Sequence, residues 1–489
     1  MKYLYSGKEA KAIDNHAIHK MGMSGLVLME RAAMSVAAVV MKRENKEVKI
    51  LAVCGTGNNG GDAVAVARIL HEQGYKTAIT VVGETERMTE DMKYQLSLAV
   101  NCEVPVLPLS AITDGVFDVI LDGIFGIGLS REISGVYENV IDDINASGAR
   151  CYAIDVPSGI SADTGSVLNT AVKAVCTITF GVNKTGLVLY PGCEYAGEVF
   201  VTDIGFPSGS VRAITSKTCI YETTDLGRLP IRPGRSNKGT FGHVLVVAGS
   251  QSMSGACFLA AKAAYTAGAG LVRVVSTENN RAILLSALPE ILFSGRDELA
   301  DVLEWADAVV IGPGIGLGKE AEEMVRCVLD SSSVPTVIDG DGIRICSNLA
   351  YELSDNFVLT PHVKEMTYLT GKSVQELLEE ILPSTKEAAG KWGCTIVQKD
   401  ARTIVSNGDE AYINVSGNNG MATGGSGDVL AGLTGGLLAQ GMEPFEAAKL
   451  AVYIHGLAGD IMAEEKSVYS LMASDLITGI SRVLNKIRK

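Results

Sequence analysis

One stretch constrains this chain more than any other: Asn418-Asn419-Gly420-Met421-Ala422-Thr423-Gly424-Gly425-Ser426-Gly427-Asp428. Before it, Glu410 to Val415 alternates apolar and polar residues like a half-buried strand. After it, small and apolar residues run at helical spacing as far as Gln440. A glycine-rich turn that leads straight into a helix suits phosphate. Glycine lets the backbone approach a ligand closely, and the free N–H groups of the first helical turn point at an anion. Asp428, at the mouth of that helix, would repel the phosphate and needs another reason to be there. One reading is an N-cap, worth about 0.5–2 kcal/mol. The other is a base that accepts the proton of a hydroxyl attacking phosphorus. The glycines and the Thr423/Ser426 pair around it favour phosphate chemistry.

The same order of strand, glycine turn and helix recurs along the chain. Lys49–Cys54 reads as a buried parallel strand running into Gly55-Thr56-Gly57-Asn58-Asn59-Gly60-Gly61-Asp62, with a helix from Ala63 to Gln73. The turn does not match the usual G-x-G-x-x-G fingerprint. Strands at 77–82, 117–123 and 151–159 follow, the last two carrying Asp122 and Asp155, and Ile124–Arg131 is rich in glycine. In an open α/β sheet, ligands bind beyond the carboxyl ends of the strands. Asn59/Asp62, Asp122 and Asp155 are therefore expected to converge, and their oxygens would also suit a hard cation.

The second half repeats the pattern. Strands are expected at 243–248, 271–275, 308–311, 335–339 and 357–361, then a hairpin around Lys399-Asp400-Ala401-Arg402-Thr403 with two cations near its turn. His362 follows a strand, with Glu365 three residues on. Lys238, in a basic loop, reads equally as a phosphate partner or a solvated lysine. The alternation predicts two doubly wound α/β domains, joined near Gly205-Phe206-Pro207-Ser208-Gly209-Ser210.

Charge narrows the partners. The net charge of −14 over 489 residues argues against nucleic acid or an anionic membrane. No run of about 18 uncharged apolar residues is present, and the N-terminus lacks a signal-peptide pattern. The ten cysteines form no C-x-x-C pair, as expected of buried thiols in a reducing cytoplasm. His16 and His19 lack the further ligands of a zinc site and read as helix surface.

The first-half motifs, with Leu28-Met29-Glu30-Arg31-Ala32-Ala33, Asp122-Gly-Ile-Phe-Gly-Ile-Gly-Leu and Asp155-Val-Pro-Ser-Gly, resemble the NAD(P)H-hydrate epimerase domain. The resemblance implies a Rossmann-like domain over residues 1–212 that interconverts the R and S epimers of hydrated NADH or NADPH. It assigns the hydrate to Asn58, Asn59, Gly60, Gly61 and Asp62, to Gly126, Ile127, Gly128, Leu129, Ser130, Arg131 and Glu132, and to Asp155, the proton acceptor. It assigns potassium to Asn59, Asp122 and Ser158. Ala63 stands where the family usually has glycine, and its methyl group is expected to tighten the turn or perturb a backbone contact.

The second-half motifs resemble the NAD(P)H-hydrate dehydratase domain of the ribokinase-like superfamily, over residues 213–489. Gly-Met-Ala-Thr-Gly-Gly-Ser-Gly-Asp is the most specific of them. This implies phosphorylation of the C6 hydroxyl by ADP or ATP, then loss of phosphate. Asp428 would be the base. Ala256, Gly314 and His362 would line the hydrate site together with Asp428. Lys399, Asp400, Ala401, Arg402 and Thr403, with Asn418, Gly424, Gly425 and Gly427, would hold the nucleotide, and Mg²⁺ would bridge its phosphates. Asp400 and Lys364 each replace a usual glycine. Together the resemblances imply a bifunctional repair enzyme acting on small molecules, expected to be a homo-oligomer. The alternative is a ribokinase-like small-molecule kinase fused to a non-catalytic nucleotide-binding domain.

Overall fold

Apolar residues alternating between two faces of each strand decide the architecture. In the computed structural model, which describes residues 1–349 and 351–486, the chain forms two compact units. One is Tyr3–Thr218; the other is Met1–Lys2 with the chain from Cys219 onward.

The Tyr3–Thr218 unit holds a six-stranded, all-parallel sheet. Its strands are β1 (Lys49–Cys54), β2 (Lys76–Val81), β3 (Val119–Gly123), β4 (Arg150–Ile154), β5 (Cys176–Phe180) and β6 (Glu198–Thr202), in the spatial order β2-β1-β3-β4-β5-β6. Ile50, Ala52 and Cys54 enter one hydrophobic cluster, while Leu51 and Val53 enter another. Both faces are therefore covered, as parallel sheets require. The helices that matter for function are α1 (Gly7–Asn15), α2 (Gly25–Arg43), α3 (Asn58–Glu72) and α4 (Glu90–Asn101). α1 continues as a π-helical turn, His16–Lys20.

Among the described residues, nine strands lie wholly within the second unit after its first residues, 219–220: β7 (His243–Val247), β8 (Leu271–Ser276), β9 (Leu292–Gly295), β10 (Ala308–Ile311), β11 (Thr336–Ile338), β12 (Phe357–Leu359), β13 (Thr395–Gln398), β14 (Ile404–Ser406) and β15 (Ala411–Ile413). Their order is β9-β8-β7-β10-β11-β12-β13-β14-β15. Pairing is parallel as far as β13 and antiparallel from β13 to β15. Val244 and Val246 face one cluster, Leu245 and Val247 the other. Two doubly wound domains are therefore present, as the alternation of strands and helices implied.

Three details depart from the sequence reading. The helix expected from Ala63 starts at Asn58, so Asn58–Asp62 form its first turn. The glycines there are packing devices as much as turn residues: a Cβ on Gly60 would sit 1.9 Å from the Gly55 carbonyl oxygen. The segment expected to be a linker, 205–210, is ordered into its own unit. Pro207 caps a short helix, Ser208–Ala213, and buried Ser210 bonds His16 Nδ1 at 3.1 Å. The units instead divide between Thr218 and Cys219. Finally, the Ala63 methyl group points at Gly123, not into a turn: a Cβ on Gly123 would lie 2.3 Å from it.

In the second unit, α6 (Ser254–Thr266) lies against α11 (Ser426–Leu438), the helix after the glycine-rich stretch. Between them come α7 (Lys319–Ser331), α8 (Asp341–Leu349), α9 (Val363–Thr370) and α10 (Ile381–Trp392); α12 (Pro444–Lys466) and α13 (Ala473–Lys486) follow. A Cβ on Gly432 would meet the Ala260 carbonyl oxygen at 2.0 Å. Alanine is normally better than glycine in a helix by about 1 kcal/mol. Here overpacking reverses the sign, and Gly432→Ala should lower stability by about 1–3 kcal/mol, read from the midpoint of urea unfolding.

Candidate active sites

In the first unit β1 is flanked by β2 on one side and β3 on the other, so the strand order reverses at the carboxyl ends of β1 and β3. That is where an open α/β sheet binds ligands. Gly55 N–H donates to the Gly123 carbonyl at 3.0 Å, holding the two strand ends together. Asn59 Nδ2 donates to the Phe125 carbonyl at 3.0 Å and fixes the glycine-rich segment beside α3. A cleft of about 750 Å³ lies above this crossing.

Of the residues expected to hold the hydrate, Asn58, Asn59, Asp62, Gly126–Arg131 and Asp155 line the cleft. Gly60 and Gly61 are buried against Gly55 and Met29, and neither they nor Glu132 line it. Asp122 and Ser158, expected to share a cation with Asn59, are both fully buried. Ser158 Oγ donates to Asp122 Oδ1 at 2.6 Å and its N–H to Oδ2 at 2.8 Å, while Ile124 N–H donates to Oδ1 at 3.3 Å. Burial nevertheless pushes the Asp122 carboxyl up to about 6, against the pull of those donors.

Asp155 is one of four described non-glycine residues in the left-handed region, with φ +67°. Its Oδ1 accepts Lys184 Nζ at 2.7 Å and Thr179 Oγ1 at 2.9 Å. Lys184 is 2% exposed and also donates to Thr179 Oγ1 and the Phe180 carbonyl, at 2.8 and 3.0 Å. Three more carboxyl groups line this cleft, Asp14 of α1, Asp62 of α3 and Asp91 of α4. Burial raises Asp62 well above the carboxylate range, and Asp155, Asp14 and Asp91 push it further. Burial and Asp155 also raise Asp14, with Lys184 opposing. Lys184 and Asp14 escaped the sequence reading. Neither belongs to a motif, and only the fold brings them to Asp155.

In the second unit the glycine stretch behaves as its composition implied. Gly425, with φ +91°, is the N-cap of α11, and no side chain supplies a cap hydrogen bond there. Asp428 is therefore not the helix cap. Burial and neighbouring Asp339 and Asp341 push its carboxyl up to about 7, with Lys399 opposing. Lys399 Nζ lies 3.2 Å from where a Cβ on Gly427 would sit, so glycine leaves room for the ammonium beside the turn. The same Nζ donates to Asp339 Oδ1 at 2.7 Å and lies 3.9 Å from Glu365 Oε2. Thr360 Oγ1 completes the Asp339 oxygen at 2.7 Å. Beneath the turn, buried His455 of α12 is lowered to about 4 by desolvation and stays neutral.

The other expected positions divide. Gly314 and Ala256 meet: a Cβ on Gly314 would lie 3.2 Å from the Ala256 methyl. One turn along α6, Leu259 lies against Gly425, so this pair adjoins the glycine turn. His362 caps α9 by accepting Glu365 N–H at 3.1 Å, and its neighbour Pro361 accepts Lys399 N–H at 2.8 Å. Asn418 donates to Asp460 at 3.0 Å, and Gly424 is exposed at the turn. Arg402 donates to the Val415 carbonyl at 3.4 Å and Thr403 accepts Asn414 N–H at 2.9 Å, tying the hairpin to the strand before the glycines. Asp400 and Ala401 are exposed on that hairpin turn, and Lys364 is exposed on α9. Lys238 precedes the amino end of β7, away from the strand ends that hold Asp339 and Lys399. Asp339 and Glu365, the acidic partners of Lys399, are the residues that motif reasoning left out of the site.

Comparison with known proteins agrees with both halves. The family described as NAD(P)H-hydrate dehydratase matches residues 244–482. The family described as YjeF-related protein N-terminus matches residues 25–186. A bifunctional NAD(P)H-hydrate repair enzyme of Thermofilum pendens is 36% identical, over 98% of this chain and 96% of that one. Among solved structures, a ribokinase-like superfamily protein from Enterococcus faecalis is similar with a TM-score of 0.53 and 31% identity, covering 56% of this chain and 97% of its own. An ADP/ATP-dependent NAD(P)H-hydrate dehydratase from Bacillus subtilis, co-crystallized with ATP and Mg²⁺, gives a TM-score of 0.50 at 29% identity, covering 55% of this chain and 98% of its own.

The Lys184–Asp155 pair makes a measurable demand on stability. Breaking a buried ion pair from one side leaves an uncompensated charge and typically costs about 3–5 kcal/mol. Lys184→Met should destabilise the first unit by that order in urea unfolding, and Asp155→Asn combined with it should recover part of the loss.

Proposed function

Since the chain belongs to the bifunctional NAD(P)H-hydrate repair enzymes, we propose that residues 1–212 carry the epimerase and residues 213–489 the dehydratase. The protein restores hydrated NADH and NADPH. One activity interconverts the R and S hydrates at C6, and the other dehydrates the S hydrate at the expense of ADP or ATP. We propose further that it works in the cytoplasm as a homo-oligomer. Ten free cysteines, most of them buried, are consistent with that compartment. Among the described residues, no helix is long and apolar enough to cross a membrane.

For the dehydratase, the reading rests on one observation: a largely buried Asp428 carboxyl at the head of a helix whose cap is a bare glycine. The first N–H groups of α11 and the Lys399 ammonium bind the transferred phosphoryl group. Asp428 takes the proton of the C6 hydroxyl, and that oxygen then attacks phosphorus. The shortened nucleotide leaves as that bond forms, and loss of phosphate from C6 with a proton from C5 then restores the ring double bond. Ala256, Gly314 and His362 hold the hydrate; Lys399–Thr403, Asn418, Gly424, Gly425 and Gly427 hold the nucleotide. Asp339 and Asp341 act on Asp428 and make the turn's surroundings acidic, and Mg²⁺ arriving on the polyphosphate would offset that charge.

For the epimerase, the hydrate occupies the cleft lined by Asn58, Asn59, Asp62 and Gly126–Arg131, with Asp155 as proton acceptor. The buried Asp122 carboxyl has only hydroxyl and N–H donors around it. The Ser158 hydroxyl oxygen bridges Asp122 and the Phe125 carbonyl, and that oxygen set suits K⁺, held by Asn59, Asp122 and Ser158. Bound there, the ion would steady the crossing of β1 and β3 under the substrate.

Two measurements test the dehydratase assignment. Supplied with hydrated NADH and ADP, the protein should regenerate the reduced-nicotinamide absorbance from either epimer. Asp428→Ala should cut that rate by about 10²–10⁴ while nucleotide affinity stays nearly unchanged; a loss of stability with the rate intact would refute the base. A base works only when ionised, so the wild-type rate should rise with pH through about 7 and level off. Asp339→Asn removes a repelling neighbour and should move that rise to lower pH.

A further inference from the structure

Epimerisation at C6 inverts a carbon that carries both a hydroxyl and the ring nitrogen. Whatever leaves one face must be replaced on the other, so one proton carrier is not enough. The cleft holds Asp155, whose oxygen is already engaged by Lys184 and Thr179. It also holds Asp62, in the first turn of α3, and three other carboxyl groups line the same cleft: Asp155 just after β4, Asp14 from α1 and Asp91 from α4. All three act on Asp62 electrostatically. Lys11, Arg131 and Lys184 are the cations lining the same cleft, and none of them figures among the groups acting on Asp62. Like charges so close cannot all ionise in a desolvated site, and the least compensated group keeps its proton.

We propose that Asp62 is a second catalytic residue of the epimerase, the acid that protonates the departing C6 oxygen while Asp155, held by Lys184, serves as the base. The C6–O bond breaks as the ring nitrogen lone pair forms a C=N bond, and the oxygen takes the Asp62 proton and leaves as water. Water then adds to the opposite face of C6, the C=N electrons return to nitrogen, and Asp155 takes the proton of the added water. The two carboxyl groups exchange roles in the reverse direction, and no oxidant or reductant is needed. Asp14, beside both Asp155 and Lys184, adds the charge that keeps Asp62 protonated.

This inference rests on the epimerase reading above, and the two fail differently. If the wild-type full chain does not interconvert purified R and S hydrates, the epimerase reading fails. If it does, Asp62→Asn should slow interconversion by about 10²–10⁴ with the hydrate KM little changed, and Asp62→Glu should restore part of the rate. Dehydration of the S hydrate by the same chain monitors folding. The wild-type epimerase rate should fall as pH rises and Asp62 loses its proton, and the residual Asp62→Asn rate should lack that fall. In ¹⁸O-labelled water, each inversion above the uncatalysed background should place label at C6. An Asp62→Asn rate near wild type, or inversion without label, overturns the proposal. The label and the wild-type pH profile decide it even if the variant does not fold.

Discussion

A carboxyl group taken out of water must be given donors, a cation or a proton, and that demand organises both units. Asp122 receives donors, three from Ser158 and Ile124. Asp155 receives a lysine ammonium, and so does Asp339. Asp62 and Asp428 receive neither in sufficient measure, and burial with like-charged neighbours lifts both. The division separates carboxylates anchored by partners from those left without enough of them, and the proposed acid–base pair of the cleft, Asp62 with Asp155, takes one from each. It arises at strand ends, where parallel sheets leave backbone and side chains facing an open crevice.

The fold was largely legible because the strands here are short apolar runs buried on both sides, with punctuation by glycine or aspartate. Boundaries were less so. Asn58–Asp62 read as a turn because glycine is a poor helix former, yet close packing of Gly60 on Gly55 makes those residues the first turn of α3. Gly205–Ser210 read as a linker from composition, although Ser210 is buried and bonded. Tertiary contact overrode local preference in both cases.

Motifs were enough to bring Asp155 to the cleft and Asp428 to the head of the helix after the glycine turn. What escaped is what distant segments contribute. Lys184 lies 29 residues from Asp155, and Lys399 lies 60 from Asp339. No local spacing rule links residues so far apart, and a lone lysine in an apolar stretch looks like any other. The burial of Lys184 at 2% exposure is what marks it, and burial belongs to the assembled fold.

The helix behind the glycine-rich turn is itself made of poor material. Gly427, Gly432, Gly435 and Gly436 fall within its thirteen residues, and each glycine weakens an isolated helix by about 1 kcal/mol relative to alanine. Short helices are marginal in water even with good formers. The ordered N–H groups at its head are therefore on loan from the surrounding core: the Ala260 and Ala264 backbone of α6 on one side and Val310 of the sheet on another. A peptide copied from this segment, or the segment grafted onto a foreign scaffold, would be a flexible chain with no affinity for phosphate. The binding turn cannot be inherited without its foundations.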